Sequence, residues 1–311
     1  MVISRKRKKY SAIKDSPADK VFLGFVYAFL VGALLITMYP LIYILSASIS
    51  DPNYVNSGAM WLLPKGITFE GYRLIFANQQ IWQGYANTII YTILGTAINL
   101  MVTIPCAYAL ARPEFKGKKF FMTFIMITMF VSGGLIPTFQ LVVRMGMLDT
   151  IWAIILPGAT SVFNIVVTRT FFQSTIPREM EEAAIIDGCS DIAMFFKIIL
   201  PLSLPIIAVM ALFFGVGHWN SWFGALIYLN DRTMFPLQLI LREILVMQEM
   251  ASMPEPGTMD ATTAAFMHTR QQLSQVIRYG VMIVSTLPII MIYPFLQKYF
   301  VKGVMIGSLK G

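Results

Sequence analysis

FFQSTIPREMEEAAIIDGCSDIAMFFKIILPLSLP, residues Phe171 to Pro205, places three glutamates between a proline and a glycine and then runs into a long apolar stretch. Pro177 suits the first turn of a helix, where the N–H it lacks would go unbonded in any case. Glu179, Glu181 and Glu182 complement the positive end of that helix, and Gly188 is where it would stop. Ser190 can cap a second helix continuing through Phe195 and Lys197. The segment therefore reads as a short helix, a glycine corner and a second helix.

What flanks this hairpin decides the class of the molecule. A bilayer core about 30 Å thick needs roughly 20 apolar residues of helix. Six windows free of Asp, Glu, Lys and Arg meet that need: Val21 to Ser50, Ala86 to Ala111, Phe120 to Val143, Ile151 to Thr168, Ile198 to Asn230 and Tyr279 to Gln297. The first and fifth exceed a span, so each includes interfacial chain or loop. Pro40, Pro105, Pro137, Pro157, Pro205 and Pro288 fall inside the windows and call for neighbouring helices or local irregularity to accommodate them. Of the 311 residues 57% are hydrophobic and 13% charged, and the mean hydropathy is +0.67. Soluble domains carry about twice that share of charge, which excludes a water-soluble globule. A basic start, Arg5 to Lys9, precedes the first window. Its apolar stretch is too long for a signal peptide, so it is kept as an anchor.

Orientation follows from Lys and Arg. With the N-terminus inside, seventeen of the 24 fall in segments 1–20, 112–119, 169–197 and 298–311, whereas the 16 acidic residues divide evenly between the two sides. The expectation is an all-α membrane protein of six transmembrane helices with both termini cytoplasmic. Residues 1–20 form a basic N-terminus, 21–297 the six-span domain and 298–311 a C-terminal tail. The net charge of +8 is explained by this bias, without nucleic acid as a partner, although the basic N-terminus could also meet anionic lipid. The hairpin then lies in a cytoplasmic loop, 169–197. The longest outer loop, 231–278, has helical spacing at Leu237, Ile240, Leu241 and Leu245, and its Pro254, Glu255, Pro256 and Gly257 read as an exposed tip. The loop's first half can either reach a partner or pack on its own bundle.

Chemistry is sparse. Two cysteines, Cys106 and Cys189, and two histidines make neither a disulfide framework nor a structural zinc site. Within the windows His218 and Cys106 alone titrate near neutrality, which disfavours proton coupling. The chain lacks a G-x-x-x-x-G-K-[ST] phosphate loop, so it is not expected to hydrolyse nucleotide itself. Glu181 and Glu182 as paired catalytic acids would stand in an aqueous loop without an apolar pocket. A cluster of His218, Trp219, Asn220 and Trp222, with Tyr228 beyond, has the aromatic faces and amides that suit a neutral sugar. An interfacial aromatic belt explains the same tryptophans equally well. Asn87, Thr138 and Gln140 are further polar candidates, more in keeping with helix packing than with ligand binding.

Glu182-Ala183-Ala184, three residues, Gly188, nine residues, Ile198, one residue and Leu200-Pro201 together resemble the EAA loop of bacterial ABC-importer permeases. Asn87, Trp219-Asn220 and the C-terminal Lys302-Gly303, Gly307 and Lys310-Gly311 extend the likeness to the carbohydrate-uptake branch of maltose type, and within it to the smaller six-span permease. A weaker likeness points to the oligosaccharide group of Gram-positive bacteria. The resemblance implies a type I importer permease fold in the bacterial cell membrane with a cytoplasmic coupling helix, where Glu181, Glu182, Ala183, Ala184, Asp187 and Gly188 meet an ATPase. It implies as partners a second, non-identical permease, a cytosolic ATPase dimer and an external sugar-binding protein, anchored as a lipoprotein and reached through Pro254, Glu255, Pro256 and Gly257. ATP and Mg would be bound by the ATPase, with no cofactor in this chain. Trp219, Asn220, Trp222, Asn87 and Gln140 would line the substrate path, unless the second permease holds the sugar. Competing readings are a permease of the same mechanism for a peptide, amino acid or phosphate, an intramembrane enzyme, and a stand-alone channel.

Overall fold

The computed structural model describes residues 16–251, 277–292 and 294, and the described residues are helical and turn with no strand. Helix α1, Pro17–Ser48, opens with a capping box: the Ser16 hydroxyl accepts from the Asp19 N–H, and the Asp19 carboxylate accepts from the Ser16 N–H. Over its 32 residues it buries only Ser46, Ala47 and Ser48, near its C-terminus. Apolar side chains along the rest stand exposed, as on a helix surrounded by lipid or by another subunit. Its buried end is held by polar bonds, Ser46 Oγ to the Leu62 carbonyl at 2.6 Å and the Tyr72 hydroxyl to Ser48 Oγ at 2.9 Å. Short helices α2, Pro52–Asn56, and α3, Glu70–Ala77, follow.

Helix α4, Gln79–Ala111, is the spine. Its 33 residues span about 50 Å at 1.5 Å per residue. It packs along later helices on several sides, and its small residues allow close approach. A Cβ on Gly84 would stand 3.0 Å from the Leu237 Cα, and one on Gly95 would collide with the His218 ring.

Three of the six sequence windows are broken. Helices α5, Lys118–Phe130, and α6, Leu135–Arg144, meet at 112°. The window from Phe120 to Val143, read as one span, is thus two helices: Val131 leaves helical geometry and Gly134 adopts φ +81, the left-handed range open to glycine. Helix α7, Ile151–Ile155, runs through a short turn at Pro157 and meets α8, Val162–Thr175, at 53°. Helices α9, Arg178–Ile186, and α10, Asp191–Met194, form the hairpin; a π turn over Phe195–Ile199 and α11, Leu200–Leu202, lead to α12, Leu204–Trp219, after a 78° bend. Pro205 cannot donate to the carbonyl four residues back, so the helix breaks where the prolines fall. The fifth window ends in loop, as its length implied: α12 stops at Trp219, and α13, Phe223–Tyr228, is a separate short helix. Helices α14, Leu237–Ala251, and α15, Ile277–Ile292, complete the described chain.

Among the described residues the two largest apolar clusters both include α4. One joins the first half of α4 to Ile75, Trp219, Ala225, Leu237, Leu241 and Val281. The other joins the last turns of α4 to α8 and to the hairpin through Ala184 and Met194. For the first half of the 231–278 loop the bundle-packing alternative holds, since Leu237, Ile240 and Leu241 are buried against α4.

Candidate functional site

The hairpin between α8 and α12 is built by local rules. Pro177 stands as N-cap of α9. At the other end the Gly188 N–H donates to the Ile185 carbonyl at 3.0 Å and the Cys189 N–H to the Ala184 carbonyl at 2.9 Å, a Schellman closure with Gly188 at φ +74. The Ser190 hydroxyl accepts from the Ala193 N–H and caps α10. Gly188 and Ser190 act at their expected positions, whereas Pro177 stands just ahead of the helix rather than in its first turn, and the second helix passes into a π turn at Phe195 instead of running straight through Lys197.

The hairpin has two faces. Ala184 and Met194 are buried in the protein's own core, and Met180 packs beside them. Glu182, Ala183, Asp187 and Gly188 are exposed. So are Ile185, Ile186 and Ile192, at 53%, 84% and 74%, the last two far more open than isoleucines in a finished interior. An apolar ridge with acids beside it thus points away from the bundle. Glu181 differs from Glu182: it turns inward, and its Oε2 lies 3.1 Å from Arg112 Nη1. Of the two alanines, Ala183 is exposed and Ala184 is engaged in the core. Arg112 is visible in the sequence only as one of the orienting charges. Its partners on the hairpin lie about 70 to 80 residues away, and nothing local announces them.

The second candidate region lies between α4, α12 and α15. A cavity of about 410 Å³ is lined by Thr92, Thr96, Leu100, Ala211, Gly215 and Trp219 among others, nearly all through apolar atoms. The Thr92 and Thr96 hydroxyls carry no hydrogen bond within the described residues. Of the residues expected on a substrate path, Trp219 lines this cavity, with its indole N–H donating to the Ser285 carbonyl at 3.0 Å. Asn87 is buried, and its amide donates to the Thr233 and Phe235 carbonyls at 2.7 and 3.0 Å, pinning the loop before α14. Asn220 is exposed and bonded to the Val216 carbonyl. Trp222 lies under the Arg242 guanidinium, 3.7 Å from its ring centre, and Gln140 is on α6. These five residues are not gathered into one pocket. Pro254, Glu255, Pro256 and Gly257 lie outside the described residues.

Beside the cavity a polar chain that sequence reading missed crosses the bundle. The fully buried Asn99 donates to the Gly158 carbonyl at 2.7 Å and meets His218 Nε2 at 2.7 Å, so α4, the break after α7 and α12 are tied together. The sequence groups His218 with the aromatic rim; its ring instead packs over Gly95 inside the bundle. Among the described residues no group of three or more His, Cys, Asp and Glu is arranged to hold a metal ion.

Known proteins share this architecture. Residues 81–244 match the family described as binding-protein-dependent transport system inner membrane component. Protein LplC of Bacillus subtilis is 39% identical over 96% of this chain and 97% of its own length. The polygalacturonan/rhamnogalacturonan transport system permease protein YtcP of the same organism is 38% identical over 94% and 99%. A crystal structure of a bacterial ABC transporter involved in import of the acidic polysaccharide alginate contains a chain that superposes with TM-score 0.80 at 34% identity, covering 93% of this chain and 99% of that one.

Proposed function

The chain belongs to the family of binding-protein-dependent transport system inner membrane components, and from that membership we propose that it is one of two permease subunits of an ATP-driven carbohydrate importer in a bacterial cell membrane. The observation that carries the reading is the α9–α10 hairpin: a rigid, capped element with an unshielded ridge of Ile185 and Ile186 flanked by Glu182 and Ala183. A face of this kind on a membrane protein needs a cover. A cytosolic ATPase dimer supplies it, with Glu182, Ala183, Asp187 and Gly188 at the contact and Glu181 and Ala184 supporting them from behind. ATP and Mg reside on that ATPase, and this chain contributes no catalytic group or cofactor.

Six spans with both termini in the cytoplasm put the hairpin on the ATPase side. Three of those spans are then bent or broken helices, a form membranes accept where the irregular backbone is buried in protein. For the solute, the relatives' names support a carbohydrate, and YtcP's name a polymer-derived one. The cavity wall beside Trp219 is too apolar to satisfy a sugar's hydroxyls alone. The second permease therefore completes the path and supplies most polar contacts, with Trp219 offering an aromatic face and Asn220, Trp222, Asn87 and Gln140 shaping or supporting its outer end. Pro254, Glu255, Pro256 and Gly257 reach the external binding protein.

Purification in mild detergent of this chain, expressed with its neighbouring genes and carrying Ala183→Cys, tests the proposal. A second permease and an ATPase should co-purify, and the introduced thiol should cross-link to the ATPase. Recovery of a lone chain, or a partnered complex in which that position stays free of the ATPase, would overturn the coupling role.

A further inference from the structure

Arg112 follows the last residue of α4, and it reaches both arms of the hairpin. Nη1 lies 3.1 Å from Glu181 on α9, and Nη2 lies 3.7 Å from Asp191 at the start of α10. Nη1 also donates to the Tyr108 hydroxyl at 3.0 Å, one turn back on α4. The partners are unequal. Asp191 and Glu114, the latter 3.2 Å from Nε, are largely exposed, so solvent screens them. The Arg112 and Glu181 side chains are 14% and 15% exposed, so this pair is shielded and held in a defined geometry. The end of α4 is fixed from its other side as well, by Arg169 Nε donating to the Leu110 carbonyl at 3.0 Å.

Beyond the covalent join to α8 and the packing of Ala184 and Met194 against α4 and α8, two routes lead from the hairpin into the bundle. The covalent one passes through a π turn and a 78° bend before α12 begins, and each can absorb movement. The other runs from α9 through Arg112 directly into the unbroken 33-residue α4, whose middle carries Thr92 and Thr96 on the cavity wall. We propose that the Arg112–Glu181 pair is the positioning link through which displacement of α9 by the ATPase moves α4 and so changes access to the cavity. The inference rests on the coupling role assigned above and adds to it a named path.

The test uses the whole importer, assembled with its second permease and ATPase, in which Cys106 and Cys189 are replaced by serine and Thr96→Cys is introduced. The rate of N-ethylmaleimide labelling at that position is compared between nucleotide-free and ATP-vanadate-trapped states. In the parent importer the rate should change with nucleotide. Arg112→Glu should reduce that change at least ~5-fold, the lower end of ordinary coupling energies, while subunit stoichiometry and ATP hydrolysis persist. The charge exchange Arg112→Glu with Glu181→Arg should restore it, which a residue needed only for folding would not do. A full nucleotide response in Arg112→Glu, or a loss that the exchange leaves unrepaired, overturns the link. Should Arg112→Glu fail to assemble, Glu181→Gln decides by the same readout. An unresponsive parent importer would instead bring down the coupling role itself.

Discussion

The hairpin and the Asn99 chain are both polar devices in an apolar molecule, yet they are made differently. In the hairpin, Pro177, Gly188 and Ser190 each act within four residues of themselves. In the bundle, Asn99 joins groups 59 and 119 residues away, and Asn87 reaches 146 and 148 residues along the chain. The first is a locally closed shape with an exposed apolar ridge; the second binds irregular helices to one another. Damage should therefore separate: transport should fail with the fold intact at the hairpin, and the fold should fail in the bundle.

The largest effect is expected at Gly188. No atom of this chain lies within 4 Å of a Cβ placed there, so within the chain its φ of +74 is the constraint that a side chain meets. A β-branched residue is strained there, whereas asparagine enters the left-handed region readily. Gly188→Val should lower transport ~10-fold or more with normal membrane insertion, and Gly188→Asn should retain most of it. Equal loss in both, measured as uptake per inserted complex, would mean that conformation is not what Gly188 provides.

Next comes Asn99→Leu. It removes the acceptor facing His218 and the donor to the Gly158 carbonyl, two partly shielded hydrogen bonds worth about 0.5 to 1.5 kcal/mol each. The expected result is a thermal midpoint in detergent several degrees lower, partly recovered by adding His218→Leu. A stable protein that no longer transports would place Asn99 on the functional side of the comparison.

This contrast also explains what can be read from the sequence. Pro177, Gly188 and Ser190 are legible because capping and glycine stops are nearest-neighbour effects, and the uncharged windows locate most of the long apolar helices. The break at Gly133-Gly134 escapes such a reading, since a window free of charge says nothing about direction. Arg112 and Asn99 are silent as site residues because their partners become neighbours only after packing. Grouping Trp219, Asn220 and Trp222 by adjacency fails for a similar reason: the helix ends at Trp219, which turns inward to Ser285 while Trp222 turns to Arg242.

The smallest effect, and the one that sharpens the comparison most, lies at Asp149. This residue sits in the tight hairpin between α6 and α7 at φ +53, and its carboxylate accepts from the Asn230 N–H, the Asn230 side-chain amide and the Asp231 N–H. It is a long-range contact like those of Asn99, but in water. The backbone hydrogen bond from Asn230 foremost, then its side-chain amide and the Asp231 N–H, hold the carboxyl pKa below its ordinary value. The lowered pKa fixes the sign: the tie's contribution is present above the ordinary carboxylate range and is lost as pH falls through the lowered folded value. Being fully exposed, the group should leave global stability almost unchanged. Amide exchange at Asn230 and Asp231 should lose protection on acidification in the native protein and be weak but independent of pH in Asp149→Asn, after correction for intrinsic exchange. A global midpoint that follows the same acid limb would show that contacts between distant segments govern the fold even where water reaches them, and that burial is not what separates the two regions.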